Sequence, residues 1–159
     1  YRIEKFCSEI AAIGIDGLIL PDMPVDVYTS KYKALFEKHN LANILLITPR
    51  TSNERIKEIE AAGSGFIYAV SSSATTGSAS TNKTAQHDYF KHLQSLKLRL
   101  PVRIGFGIGN HEQVKFACNY AQGGIIGTAF IQHLAKHSDL QKSIPSFIQS
   151  IRNDSTVNA

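Results

Sequence analysis

The sequence predicts an α/β fold with a parallel sheet, and three observations predict it. Short apolar runs read as strands covered on both faces: Gly17-Leu-Ile-Leu20, Ile44-Leu-Leu-Ile47, Phe66-Ile-Tyr-Ala-Val70, Val102-Arg-Ile104 and Gly124-Ile-Ile126. Segments with helical spacing separate them. Two consecutive strands end in glycine, at Gly105-Phe-Gly107 and at Gly127-Thr128, and the second leads into a short helical piece. That pairing matches the phosphate site that many (β/α)8 TIM barrels build from the loops after strands seven and eight, so a barrel is preferred to an open, doubly wound sheet.

Each element has its own local reason. Ile3, Phe6, Cys7, Ile10 and Ile13 recur at helical spacing, and Gly14 supplies a stop. After the first strand, Pro21-Asp-Met-Pro24 turns into a helix carrying Val27, Tyr28, Leu35 and Phe36. After the second, Thr48-Pro-Arg50 turns into a helix from about Ser52, with Glu54 in its first turn and Gly63 past its end. Ser71 to Lys83 has no large apolar residue and reads as a lid, a binding loop or a disordered segment, with a slack surface linker as the plain alternative. A helix carrying Tyr89, Phe90, Leu93, Leu96 and Leu100 follows, then the strand Val102–Ile104 and a helix from about His111. After Gly124–Ile126 and the short helix at Thr128, a last helix runs near Leu140–Ile151.

Composition excludes several classes. A chain of 159 residues with 43% hydrophobic content can bury one core, and nothing in it reads as an interdomain linker, so residues 1–159 form a single domain. No apolar run approaches the roughly 20 residues of a membrane span. The net charge of +4 comes from lysines and arginines scattered singly, which is a solvated surface and not a nucleic-acid stripe. Cys7 and Cys118 are too few for a disulfide framework and lack metal-site spacing. They read as buried thiols in a reducing compartment, which favours the cytoplasm.

The stretch Val102-Arg-Ile-Gly-Phe-Gly-Ile-Gly-Asn110 does not fit a dinucleotide fingerprint. Asn110 stands where the third glycine of Gly-x-Gly-x-x-Gly belongs, and no acidic residue occurs between Glu112 and Asp139 to hold a ribose. A simple phosphate ester on glycine backbone N–H groups is the better reading.

The ordered series Gly14-Ile-Asp-Gly17, Leu20-Pro-Asp-Met-Pro24, Thr48-Pro49, Gly65-Phe-Ile-Tyr68, Ser71 to Gly77, Gly105-Phe-Gly-Ile108 and Ile126-Gly-Thr-Ala129 resembles the tryptophan synthase alpha subunit over nearly the whole chain. The resemblance implies a TIM barrel, of which this chain covers about strands 4 to 8 with their helices. It implies a carbon–carbon lyase of tryptophan biosynthesis, which splits indole-3-glycerol phosphate into indole and glyceraldehyde 3-phosphate by retro-aldol cleavage. The family's acid–base Glu and Asp would precede Tyr1, on βα units expected to be absent here, so no catalytic residue is assigned and the chain alone should be inactive.

The same resemblance places the phosphate on backbone N–H groups of Gly77, Gly107, Gly127 and Thr128, with the Thr128 hydroxyl replacing the family's usual serine. It lines the indole pocket with Ile19, Tyr68, Phe106 and Ile125. Thr76 and Gly77 fall in the family's mobile loop, where Ser72-Ser-Ala74 replaces the common Arg-x-Gly. Asp22 and Pro24 fall in the loop that faces the beta subunit. No cofactor or metal is implied for this subunit, because pyridoxal phosphate belongs to the beta partner of an α2β2 complex. Two other readings stay open: a non-catalytic phosphate- or partner-binding module, and another phosphate-binding TIM-barrel enzyme.

Overall fold

A computed structural model describes residues 2–70, 83–105 and 107–152. Helix α1 (Ile3–Ala12) buries Cys7 and packs Ile3, Phe6 and Ile10 on the core. It stops where expected. Gly14, at φ 85°, donates to the Ala11 carbonyl (3.0 Å) and Ile15 donates to the Ile10 carbonyl (3.0 Å), a Schellman closure that needs the left-handed conformation. Strand β1 (Gly17–Ile19) is one residue shorter than predicted. Gly17 cannot carry a side chain, because a Cβ would lie 2.8 Å from the Ala42 carbonyl oxygen on the next strand.

The helix predicted after Pro24 forms, but not as one regular element. Helix α2 (Val25–Val27) passes through a π-helical turn at Tyr28–Tyr32 into α3 (Lys33–Lys38). The hydroxyls of Thr29 and Ser30 donate to the carbonyls of Val25 (2.8 Å) and Asp26 (2.7 Å) four residues back. Such back-bonding competes with the helical ladder and loosens it. Tyr28 keeps its place by burial, edge-on to Phe36 with ring centroids 5.4 Å apart.

Strand β2 (Ala42–Ile47) leads to α4 (Asn53–Ala62). Ser52 caps α4 by accepting from the Arg55 N–H (3.2 Å). The Glu54 carboxyl is held below the usual carboxylate range by its own backbone N–H and by the Ser52 hydroxyl. Strand β3 (Ile67–Val70) starts one residue later than predicted. Helix α5 (Lys83–Ser95) buries Tyr89, Phe90 and Leu93 but ends before Leu96 and Leu100, which were expected to extend it. Lys97 has φ 46°, and the Glu60 carboxylate of α4 accepts from the N–H groups of Arg99 and Leu100, so tertiary contacts fix a turn there.

Strand β4 (Val102–Gly105) is followed by α6 (His111–Cys118), capped by the Asn110 side chain on the Gln113 N–H (2.9 Å). Cys118, at the end of α6, is exposed and not buried as predicted. Helices α7 (Thr128–Ala135) and α8 (Leu140–Arg152) complete the described chain.

The four strands are parallel and stand in the order β1-β2-β3-β4. A doubly wound sheet reverses its strand order partway, and this one does not. Sequential order with crossovers of one hand puts the helices on a single face, as in a barrel wall. Accordingly Leu45, Ile47, Ile67, Ala69, Val102 and Ile104 share one core with Cys7, Phe36, Ile56, Phe90 and Ala117 from the helices. Alternation sends Ile44, Leu46, Tyr68, Val70, Arg103 and Gly105 to the opposite, concave face.

The predicted fifth strand, Gly124–Ile126, is reduced to a single bridge between Ile104 and Gly124. Its pairing is nonetheless parallel: Gln122 donates to Val102 (3.1 Å), Ile104 to Gly123 (3.0 Å) and Ile125 to Ile104 (2.7 Å). Gly123 and Gly124 bring no side chain to pack and lose most entropy on ordering, so a full strand is not sustained. At the other edge stands β1, whose Ile19 is 45% exposed.

One core residue is chemically out of place. Asn43 on β2 is fully buried, and neither atom of its carboxamide has a hydrogen-bond partner among the described residues. Removing an unpaired buried amide removes its desolvation penalty, so Asn43→Leu should raise stability by about 1 kcal/mol or more, read as a higher urea midpoint at unchanged slope. A lower midpoint would mean that the carboxamide is satisfied in solution.

Candidate functional site

The C-terminal ends of the strands gather the glycines and the concave-face side chains that the sequence singled out. Tyr68 lies on β3 in register with Leu46 on one side and Arg103 on the other. Its ring rests against Gly105 of β4. A Cβ at Gly105 would stand 2.2 Å from Tyr68 Cε2 and 2.4 Å from its hydroxyl oxygen, so only glycine leaves the ring its seat. Burial pushes the Tyr68 phenol above its ordinary pKa. The sequence assigned Gly105 to the strand-end glycine cluster, whereas the structure places it buried within β4 as the partner of a tyrosine. The only signal for that role was a glycine inside an otherwise apolar run.

Gly107 and Gly127 do different work. Gly107 has φ 74°, a conformation that side chains resist, and among the described residues no atom beyond the chain neighbours lies within 4 Å of the missing Cβ of either glycine. Both are exposed. Gly109 links the two loops: its Cβ position is 3.0 Å from the Ala129 Cβ on α7, while its N–H donates to Gln113 Oε1 (2.8 Å). The loop after β4 is therefore packed on the first turn of α7.

That first turn is electrostatically unfinished. Helices α4 and α6 each have a side chain accepting from an early N–H, but α7 starts after Gly127, which has none to offer. The first intrahelical acceptor in use is the Gly127 carbonyl, bonded by the Ile131 N–H (3.1 Å). The N–H groups of Thr128 and Ala129 thus carry the partial positive charge of a helix start with no capping side chain. Thr128 is exposed beside them.

The remaining predicted positions divide clearly. Ile19 ends β1, and Ile125 follows the bridge at Gly124, so both stand at strand C-terminal ends. Ile126, not Ile125, packs on the helix-side core, which leaves Ile125 to the concave side. Phe106, Thr76 and Gly77 lie outside the described residues, as does most of the predicted loop from Ser71 to Lys83. Asp22 and Pro24 are separate from the glycine cluster. They line an open cleft of about 350 Å³ with Leu20, Met23, Arg55 and Ile59, between the loop after β1 and helix α4. Among the described residues no group of three or more His, Cys, Asp or Glu could hold a metal ion.

The seat of Tyr68 can be tested directly. Gly105→Ala should displace the ring and cost about 1–3 kcal/mol of stability, as overpacking does. It should also lower the titration midpoint of Tyr68 toward that of a solvated phenol, measured as the ultraviolet difference from a Tyr68→Phe control. An unchanged midpoint and stability would show that the ring does not occupy that seat.

Comparison with known proteins places this geometry. The family model described as tryptophan synthase alpha chain matches residues 1–155. The tryptophan synthase alpha chain of Flavobacterium johnsoniae is 50% identical over 152 residues, covering 96% of this chain and 59% of its own. That of Bacteroides thetaiotaomicron is 42% identical over 144 residues, 91% of this chain and 56% of its own. Among solved structures, Mycobacterium tuberculosis tryptophan synthase superposes with a TM-score of 0.80 at 26% identity, covering 99% of this chain and 58% of the other. The Campylobacter jejuni alpha subunit gives 0.76 at 32% identity, covering 95% and 59%. The chain thus spans a little under three-fifths of the length of such relatives. With four sequentially ordered parallel strands, helices on one face and glycine loops at the strand ends, this chain belongs to the tryptophan synthase alpha chain family.

Proposed function

We propose that this chain carries the phosphate- and indole-binding half of an alpha subunit that cleaves indole-3-glycerol phosphate to indole and glyceraldehyde 3-phosphate. The observation that carries the reading is the packing of the Gly107–Gly109 loop on the start of α7, where no side chain caps the helix. A phosphate ester would take the N–H groups of Gly107 and Thr128, with Gly127 keeping the approach open and the Thr128 hydroxyl adding a donor. Gly77 would join from its own loop. The indole ring would lie on the concave face near Tyr68, Ile19, Phe106 and Ile125, within reach of a phosphate held at the strand ends.

The reaction sets what this half does and what it leaves to others. Breaking the bond between ring and glycerol chain needs a proton delivered to the ring carbon and one taken from the adjacent hydroxyl. The Glu and Asp that the family uses for this would stand on other βα units, so the residues here bind and orient. Binding energy spent on the remote phosphate fixes the reacting bond against those carboxylates. Indole released by the subunit would pass to a beta subunit, where pyridoxal phosphate supplies the chemistry, and the loop of Asp22 and Pro24 would face that partner. No cofactor is assigned to this chain. The enzyme would act in the cytoplasm; among the described residues no helix is long and apolar enough to cross a membrane.

Amide chemical shifts test the phosphate reading. Titration with glycerol 3-phosphate should move the signals of Gly107, Thr128 and Ala129 first, and Gly127→Val should abolish the response while leaving far-UV circular dichroism intact. Shifts confined to other residues would refute it. The 159-residue chain should also release no indole above background from indole-3-glycerol phosphate, since it would lack the acid and the base. Substrate-dependent indole from the purified chain would show that catalytic groups lie within it.

A further inference from the structure

Two histidines on different helices close on the backbone of α8. His111, the first residue of α6, has Nδ1 2.8 Å from the Ile151 carbonyl oxygen. His133, in the last turn of α7, has Nε2 2.9 Å from the Ser143 carbonyl oxygen. A carbonyl only accepts, so each of these ring nitrogens carries a proton, and both the neutral ring and the imidazolium can donate in this way. The His133 ring is held further: it stacks on His137 with centroids 4.2 Å apart and meets the buried Phe147 ring at 5.0 Å. Both bonds end on the buried stripe of α8, which is Ser143, Phe147 and Ile151. At 1.5 Å per residue the two acceptors stand about 12 Å apart along the axis.

Each histidine belongs to one half of the proposed phosphate site. His111 follows Asn110, which caps α6 on the Gln113 N–H, and Gln113 Oε1 in turn accepts from the Gly109 N–H in the loop of Gly107. His133 lies on the helix whose first turn offers the Thr128 N–H, and Phe130 of that helix meets Phe147 with ring centroids 5.3 Å apart. Helix α8 therefore touches both the helix that fixes the Gly107 loop and the helix that carries Thr128. Where loop and α7 meet directly, at Gly109 and Ala129, only small groups touch. Such a contact limits approach without fixing an angle.

We propose that His111 and His133 are positioning residues for the phosphate ester. Together they splint α6 and α7 to α8, and so set the Gly107 and Thr128 N–H groups at a separation that one phosphate group spans. They act through the backbone of α8 and not on the ligand. Donors that are spaced before the ligand arrives need no ordering when it binds, which is how a rigid splint raises affinity without adding a contact. The proposal rests on the phosphate reading for its ligand alone; the splint is a property of the free chain.

Amide hydrogen exchange in the free chain tests the splint. The Ile131 N–H of α7 is bonded to the Gly127 carbonyl (3.1 Å) and the Val114 N–H of α6 to the Asn110 carbonyl (3.1 Å). His111→Leu, on α6, should speed exchange at Ile131 about threefold to tenfold, the usual net effect of one hydrogen bond, and His133→Leu, on α7, should do the same at Val114. Ile56 of α4, bonded to the Ser52 carbonyl (2.9 Å), should not change. Exchange that rises only on the helix carrying the substitution, or equally at Ile56, would overturn the splint. Shape separates the hydrogen bond from packing, because an asparagine amide nitrogen stands about where Nδ1 does and a glutamine amide nitrogen about where Nε2 does. His111→Asn and His133→Gln should therefore keep the parent's exchange, while His111→Gln and His133→Asn should follow the leucine variants. Equal behaviour of Asn and Gln at both positions would also overturn the proposal.

Titration of the same variants with glycerol 3-phosphate reads the ligand. Each leucine variant should bind about threefold to tenfold more weakly, and the double variant no more weakly than either, since either loss frees the same angle. Parental affinity in both leucine variants would overturn the positioning role. A parent chain that binds no glycerol 3-phosphate would sink the phosphate reading and the ligand named here, while the exchange data still decide the splint.

Discussion

The one-sided burial of the parallel sheet is the constraint on which the other features depend. Because β1 to β4 pair in chain order, every crossover helix returns to the same face, and the apolar side chains of that face find all their partners there. The opposite face is left to a different population: Tyr68, Arg103 and the glycine Gly105 stand where a uniformly apolar strand would repeat Ile or Val. Strand ends, helix starts and the concave face then meet at one rim. Placement of a ligand site at that rim follows from the connectivity before any residue there is considered.

Glycine serves three distinct constraints within this arrangement, and sequence alone does not separate them. Gly17 and Gly105 are steric vacancies, one for a neighbouring backbone and one for an aromatic ring. Gly14 and Gly107 are conformational, with φ of 85° and 74°. Gly127 meets neither test in full; no described residue approaches its missing Cβ, and it precedes a helix that has no side-chain cap. Gly14 uses its N–H in closing α1, whereas Gly107 and Gly127 are exposed glycines beside the start of α7, which is what the proposed anion site asks of them.

Elements whose ends are decided locally were legible in the sequence. Gly14 closes α1 and Ser52 opens α4 as their chemistry demands, since each acts through hydrogen bonds within a few residues. What was not legible depends on partners distant in the chain. Glu60 holds the turn after α5 from about forty positions away, through the N–H groups of Arg99 and Leu100, and the fifth strand keeps a single bridge, to Ile104 on β4. Cys118 looked like a core residue by composition and is exposed because α6 presents it away from the sheet. The order of the motifs named the candidate positions of the proposed site, and the strand ends bring several of them to one rim. The seat that Gly105 gives Tyr68 was not, because a steric vacancy appears only when the neighbouring strand is in place.

Division of the proposed reaction between this chain and other units has a physical logic. A phosphate held by backbone N–H groups is bound equally in substrate and transition state, so by itself it accelerates nothing. Its value lies in the entropy it removes: once the ester is fixed at the rim, the ring and the reacting bond can sample only the concave face. Proton transfer then needs groups opposite that face, not beside the phosphate. The sheet described here ends in two edges, β1 on one side and the bridge at Gly124 on the other. On the proposed reading, binding and acid–base chemistry are separable in sequence but not in space, because the groups that move protons must face the ring that the phosphate loops hold in place.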